Sequence, residues 1–187
     1  NAINITVLES PDVPTIGVGE GTWPSMRNTL DKIGIKEFEF IRYCNASFKQ
    51  GSKFNQWVSG EQTDSYYHPF MTPAGYQETN LHHLWQKTDS LTFADTVNMQ
   101  SQICSAGKAP KQQQTPEYAG VTNYGYHLDA GKFAEMLREH CVNNLGIKHK
   151  IAHFIAVESA ENGDISALKM KDGSRLPGDL FVDCTGM

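Results

Sequence analysis

Val7-Leu8-Glu9-Ser10-Pro11-Asp12-Val13-Pro14-Thr15-Ile16-Gly17-Val18-Gly19-Glu20-Gly21-Thr22-Trp23-Pro24-Ser25-Met26-Arg27-Asn28-Thr29-Leu30 is the stretch on which the fold turns. Residues 3–9 are rich in β-branched side chains, which suit a pleated strand, and they close on an acid. The following Ser-Pro-Asp-Val-Pro can neither extend the strand nor begin a helix cleanly, because proline lacks an N–H and fixes φ. Gly17, Gly19 and Gly21 then follow closely, so residues 15–24 read as a glycine loop. Pro24-Ser25 makes a helix start, and Met26, Leu30 and Ile33 recur at helical spacing. The order is strand, glycine loop, helix.

Outward from this stretch, residues 37–44 read as a second short helix. Residues 46–58 read as strands with a glycine kink at Gly51. Residues 61–76 are polar, aromatic and proline-broken, and are expected to be loop. Helical character returns at 82–86 and 93–103, while 105–118 is rich in Lys, Gln and Pro and reads as a mobile or surface segment. The clearest helix follows Asp129, its N-cap, with Phe133, Met136, Leu137, Cys141 and Leu145 as one apolar stripe and Gly146 as its stop. Residues 147–157, 165–170 and 176–182 are then strands, joined by Glu161-Asn162-Gly163-Asp164 and Lys171-Asp172-Gly173-Ser174 turns. They make a meander returning to a buried strand. The organisation expected is 1–45, 46–125 and 126–187.

The 187 residues suffice for one domain or one domain and part of another. With 39% hydrophobic and 20% charged residues, and no apolar run near the roughly 18 residues of a membrane helix, the composition is that of a globular chain. A net charge of -5 with scattered lysines argues against a nucleic-acid or anionic-membrane partner. Four distant cysteines without a CxxC pair suggest neither a zinc ribbon nor a disulfide framework, and point to a reducing, cytoplasmic setting. The adjacent pairs His82-His83 and His140-Cys141 diverge, so no metal site is expected. The first residues lack a signal-peptide pattern, and the β-rich last residues break off without a polar tail, so the chain reads as a segment of a longer one.

Glu9 stands where a nucleotide-binding α/β fold hydrogen-bonds ribose hydroxyls; taken alone it is a strand-end acid on the surface. The glycines at 17, 19 and 21 let backbone amides approach a ligand, or simply make a tight turn before a helix. No Lys follows them as in a phosphate-binding GxxxxGK[ST] loop.

The run from Val7 to Leu30 resembles the flavin-dependent tryptophan halogenase family, with the strand-end acid, the Gly-Glu-x-Thr-x-Pro segment and the helix in order. Three later segments agree: FKQGSKFNQW from Phe48 to Trp57, Tyr67-His68-Pro69-Phe70, and YHLDAGKFA from Tyr126 to Ala134 leading to LFVDCTG from Leu180 to Gly186. The resemblance implies an α/β, Rossmann-like FAD-binding fold of the monooxygenase type with a substrate-side insertion. It implies reduced FAD (FADH2) bound through Glu9, Gly17, Gly19, Glu20, Gly21, Thr22, Asp183 and Gly186, with chloride or bromide as co-substrate. Lys53 matches the family's catalytic lysine. Reduced flavin and oxygen make a peroxide that halide attacks, and the hypohalous acid formed must be held and aimed at an aromatic carbon. A lysine ammonium can do this by hydrogen bonding, or its neutral amine can form a haloamine; either requires a desolvated lysine. His68 and Phe70 match the aromatic-substrate pocket, where flat rings clamp the substrate; alternatively they pack a loop onto the body. A separate flavin reductase, a small aromatic substrate and a homodimer are the partners implied. The family's dinucleotide fingerprint and its GWxWxIP signature are expected outside these residues. An aromatic hydroxylase on the same fold, or a binding module without turnover, are the competing readings.

Overall fold

In the computed structural model, which describes residues 3–13, 19–88 and 91–185, the run of β-branched residues at the start forms β1 (Thr6–Glu9). The elements that follow are β2 (Gly19–Gly21), α1 (Ser25–Lys32), α2 (Glu37–Tyr43), β3 (Ser47–Lys49), β4 (Gly51–Asn55) and β5 (Ser65–Pro69). Then come α3 (Leu81–Trp85), α4 (Phe93–Val97), α5 (Gln100–Ser105), β6 (Gly125–Asp129) and α6 (Ala130–Asn143), and last β7 (Lys148–Ile151), β8 (Phe154–Ser159), β9 (Ile165–Met170) and β10 (Arg175–Pro177). The chain divides into two compact units, Asn1–Ile16 with Leu137–Met187, and Gly17–Met136. β2 is hydrogen-bonded to β6, which joins the glycine segment to the strand before α6.

In the first unit β1 lies parallel to β7, with Val7 opposite His149 and Glu9 opposite Ile151. The order β10-β9-β8 makes the antiparallel meander. The expected strand over 147–157 is interrupted at Ala152-His153, and its two parts serve different sheets. The expected strand over 176–182 is confined to β10, and Leu180 and Val182 are exposed, not buried.

The second unit is organised by β6, the central strand of the antiparallel order β2-β6-β3. Gly125, Tyr126 and Leu128 are buried on it. Leu30 of α1, Phe40 of α2, Tyr124 and Tyr126 are fully buried, with Phe40 edge-on to Tyr126 at 4.9 Å and Phe48 edge-on to Tyr124 at 5.1 Å, as aromatic quadrupoles favour. The Asp129 carboxylate accepts from the Lys132 N–H at 3.0 Å, capping α6. The segment expected as loop over 61–76 contains β5, which becomes a strand because β4 offers it an antiparallel partner, Lys53 opposite Tyr67. The helix expected over 93–103 is two helices. Asn98 breaks it by donating from Nδ2 to the Met71 carbonyl at 2.9 Å and accepting from the Gln100 N–H at 2.7 Å.

The segment 105–118 lies largely on the surface, as expected, but it is anchored. Pro110 is fully buried, and the Lys111 ammonium donates to Glu37 Oε2 at 2.5 Å. Glu37 is 2% exposed and accepts also from the Tyr118 N–H (2.8 Å), the Tyr124 hydroxyl (2.6 Å) and the Tyr126 hydroxyl (2.7 Å). Burial alone raises a carboxyl pKa, but these donors outweigh it and hold Glu37 below its ordinary value. Burial, then the hydrogen bond to Glu37, push the Tyr124 and Tyr126 phenols far up, so both remain donors.

Gly51 opens β4, one residue after β3 gives way at Gln50, and pairs with Pro69. A Cβ there would lie 2.6 Å from the His68 carbonyl oxygen and 3.1 Å from Pro69 Cα, both backbone atoms that a side-chain rotation cannot clear. Gly51→Ala is expected to destabilise the protein by about 1–3 kcal/mol, lowering Tm by roughly 2–4 °C per kcal/mol at this size. Thermal unfolding followed by circular dichroism checks it; an unchanged Tm would show that β5 is not held at this distance.

Candidate active site

The residues singled out by sequence fall into the two units. Glu9, at the carboxyl end of parallel β1, has a half-exposed carboxylate whose Oε2 is 2.7 Å from His149 Nε2. Carboxyl ends of parallel strands are where nucleotides bind in open α/β sheets, so the position fits a ribose acceptor. Asp183 is exposed, and its carboxylate accepts from the Thr185 N–H at 2.9 Å, which together with the Thr185 side chain lowers its pKa. Gly186, like Gly17, lies outside the described residues.

The expected glycine loop is in part a strand. Gly19, Glu20 and Gly21 pair with Asp129, Leu128 and His127 of β6. Thr22 extends the pairing: its N–H donates to the Tyr126 carbonyl at 2.7 Å and its hydroxyl accepts from the Tyr126 N–H at 2.9 Å. Because β2 is an edge strand among the described residues, its outer backbone groups face away from the sheet. Only Glu20 carries a side chain on this edge, so the peptide groups at Gly19 and Gly21 are open to the approach of a flat cofactor.

Against this strand stands Lys49, the last residue of β3. A Cβ on Gly21 would lie 3.1 Å from Lys49 Nζ and 3.3 Å from His127 Nδ1, so glycine is what lets both side chains close on the backbone. The half-buried Lys49 ammonium lies 5.8 Å from the Trp23 ring centre and 5.5 Å from that of Phe70. Those two rings meet at 5.4 Å, tilted by 42°, and form one aromatic wall. A cation beside two aromatic faces next to bare backbone is an arrangement that can hold a polar reagent over a flat substrate.

Phe70 thus lies beside Trp23 and Lys49. His68 is an exposed residue of β5 in register with Ser52. Lys53 is also exposed, four residues beyond Lys49 on β4, with its ammonium 5.4 Å from the Tyr67 ring. The desolvation required of the lysine is thus better met at Lys49. Lys49, Trp23 and His127, which the structure brings together beside Gly21, were not singled out by sequence. The signal was present, since Lys49 stands in the same FKQGSKFNQW run and Trp23 in the glycine segment, but spacing does not say which of two lysines faces the glycines. Among the described residues no three His, Cys, Asp or Glu side chains could hold a metal ion, and no helix is long and apolar enough to cross a membrane.

Solved structures place this mixed α/β arrangement among the flavin-dependent halogenases. The crystal structure of a tryptophan halogenase from Shewanella frigidimarina superposes with a TM-score of 0.89 at 49% identity, covering 98% of this chain and 36% of that one. A flavin-dependent halogenase from Xanthomonas campestris gives 0.83 at 31% identity, with 98% and 36% covered. Tryptophan 6-halogenase ThaL of Streptomyces albogriseolus is 37% identical over an aligned stretch of 209 positions, gaps included, that covers 100% of this chain and 38% of ThaL. The family profile described as tryptophan halogenase matches residues 1–187, and the chain belongs to that family. It spans a little over a third of the length of these relatives.

Proposed function

We propose that the protein is an FADH2-dependent halogenase that installs chloride or bromide on tryptophan or another electron-rich aromatic. The observation that carries this reading is the Lys49 ammonium set between the Gly21 backbone and the Trp23–Phe70 wall. Reduced FAD, supplied by a separate reductase, would provide with oxygen the oxidising equivalent that converts halide to hypohalous acid. The Rossmann-like assignment of the nucleotide end rests on Glu9 beside parallel β1 and β7, and on Asp183 near the close of the chain.

In this reading the edge of β2 at Gly19, Glu20 and Gly21 accepts the cofactor, and Thr22 holds that edge on β6. The aromatic substrate lies against Trp23 and Phe70, which exclude water from one of its faces. A lysine ammonium donates a hydrogen bond to the hypohalous oxygen, increasing the electrophilicity of the halogen and directing it to one carbon. We assign that lysine as Lys49. Lys53, to which the resemblance pointed, is the alternative that paired substitutions decide. His68 is retained as an outer residue of the substrate side.

The test is mass spectrometry of products from the protein with a flavin reductase, NADH, FAD, bromide and an indole-containing substrate panel. A brominated product is expected. A hydroxylated product in its place would replace this reading by an aromatic monooxygenase, and failure to bind FAD would replace it by a binding module.

A further inference from the structure

The aromatic wall does not stand by packing alone, because the backbone behind Phe70 is tied from several sides. Its N–H donates to the Gln50 carbonyl at 3.1 Å, and its carbonyl accepts from Asn123 Nδ2 at 3.0 Å. Asn123 is itself held at two further points: Oδ1 accepts from Arg27 Nη2, and the backbone carbonyl accepts from Nε2 of fully buried Gln100. Gln100 Oε1 in turn accepts from the Met71 N–H at 2.7 Å, one residue beyond Phe70.

Arg27 is the link to the other ring. It lies one helical turn after Trp23, where the Met26 N–H donates to the Trp23 carbonyl at 3.0 Å. Its guanidinium sits 4.2 Å above the Tyr124 ring and donates from Nη1 to the Tyr118 carbonyl at 2.9 Å. Its Nε is buried without a hydrogen-bond partner, a state that disfavours the folded form. Retaining a guanidinium here at that penalty is readily understood if its geometry, and not stability alone, is what the position needs.

We propose that Asn123, oriented by Arg27, is a positioning residue that sets the Phe70 ring against the Trp23 ring and thereby selects which carbon of the aromatic substrate faces Lys49. The inference rests on the halogenase reading for its substrate and on the structure alone for its geometry. One side-chain amide couples the helix that follows Trp23 to the backbone that carries Phe70, so a change at Asn123 moves one ring relative to the other without altering any group that touches the substrate.

Asn123→Asp separates this role from simple packing. It keeps size and the acceptor for Arg27, but removes the donor to the Phe70 carbonyl and places a carboxylate oxygen against it. With tryptophan and bromide, the variant is expected to give an altered ratio of brominated regioisomers and a KM raised about ten-fold with kcat changed less. A crystal structure of the variant is expected to show the two rings displaced from their 5.4 Å contact. A folded variant with wild-type isomer ratio, KM and ring contact overturns the proposal. If wild-type protein yields no brominated product, the halogenase reading fails, and the ring contact in the variant's structure still decides this inference. Should Asn123→Asp not fold, Arg27→Lys, which keeps the charge and loses the fork, is expected to shift the ring contact and isomer ratio in the same sense; an unchanged Arg27→Lys would equally overturn it.

Discussion

Lys49→Ala is expected to lower the rate of halogenation by roughly 10²–10³-fold or more, whereas Lys53→Ala is expected to stay within about two-fold of wild type. The asymmetry follows from placement. Lys49 Nζ would be only 3.1 Å from a Cβ on Gly21 and lies between 5 and 6 Å from two aromatic ring centres, so it is held where a reagent delivered from the glycine edge would meet a substrate on the wall. Lys53 is exposed, and its ammonium lies beside the Tyr67 ring and not between the glycine edge and the wall. Product formation at saturating tryptophan, with tryptophan affinity measured separately, checks both variants. Affinity near wild type with turnover lost in Lys49→Ala is the expected pair of results. Loss of turnover in Lys53→Ala with full activity in Lys49→Ala would return the role to Lys53.

Glu37→Ala is expected to be the most destabilising single change, by about 3–5 kcal/mol, because it leaves a nearly buried ammonium and two buried phenols without their acceptor. At this chain size that lowers Tm by on the order of 10 °C. Adding Lys111→Met should recover part of the loss, since it removes the uncompensated charge; a double variant as unstable as the sum of the two singles would disprove the coupling. The same carboxylate has a pH signature. Its folded pKa is lowered, so its contribution is fully present above the unfolded glutamate value of about 4.3 and is lost as pH falls through the lower folded value. Acid unfolding of wild type followed against Glu37→Gln is expected to show a steeper loss in wild type over that window.

Much of the local structure was legible. The helix at Ser25–Lys32 follows from Pro24 and its apolar spacing, the cap at Asp129 from its place before an apolar stripe, and the two turns of the meander from Asn162-Gly163 and Asp172-Gly173. These depend on contacts within a few residues. What was not legible depended on partners far along the chain. β5 reads as loop because its proline and polar residues oppose a strand, and it forms because β4 pairs with it. Residues 105–118 read as a surface segment because Lys, Gln and Pro seldom enter a core, and most of them are exposed; what was not legible is that Lys111 ties the segment to Glu37, more than seventy residues earlier.

The site divides the same way. The amino-acid sequence by itself determined the family, the glycine segment that lets side chains close on backbone, and the presence of lysines after Phe48 and of an aromatic at Phe70. Only the tertiary structure decided which lysine faces the glycines, that Trp23 meets Phe70, and that Asn123 bridges Arg27 and the Phe70 backbone. The physical reason is that residue type and spacing set local conformation and chemical capability, whereas direction is set by strand register. Lys49 and Lys53 lie on strands of different sheets, β3 beside β6 and β4 beside β5, and the pairing of β6 with both β2 and β3 turns the first of them toward Gly21.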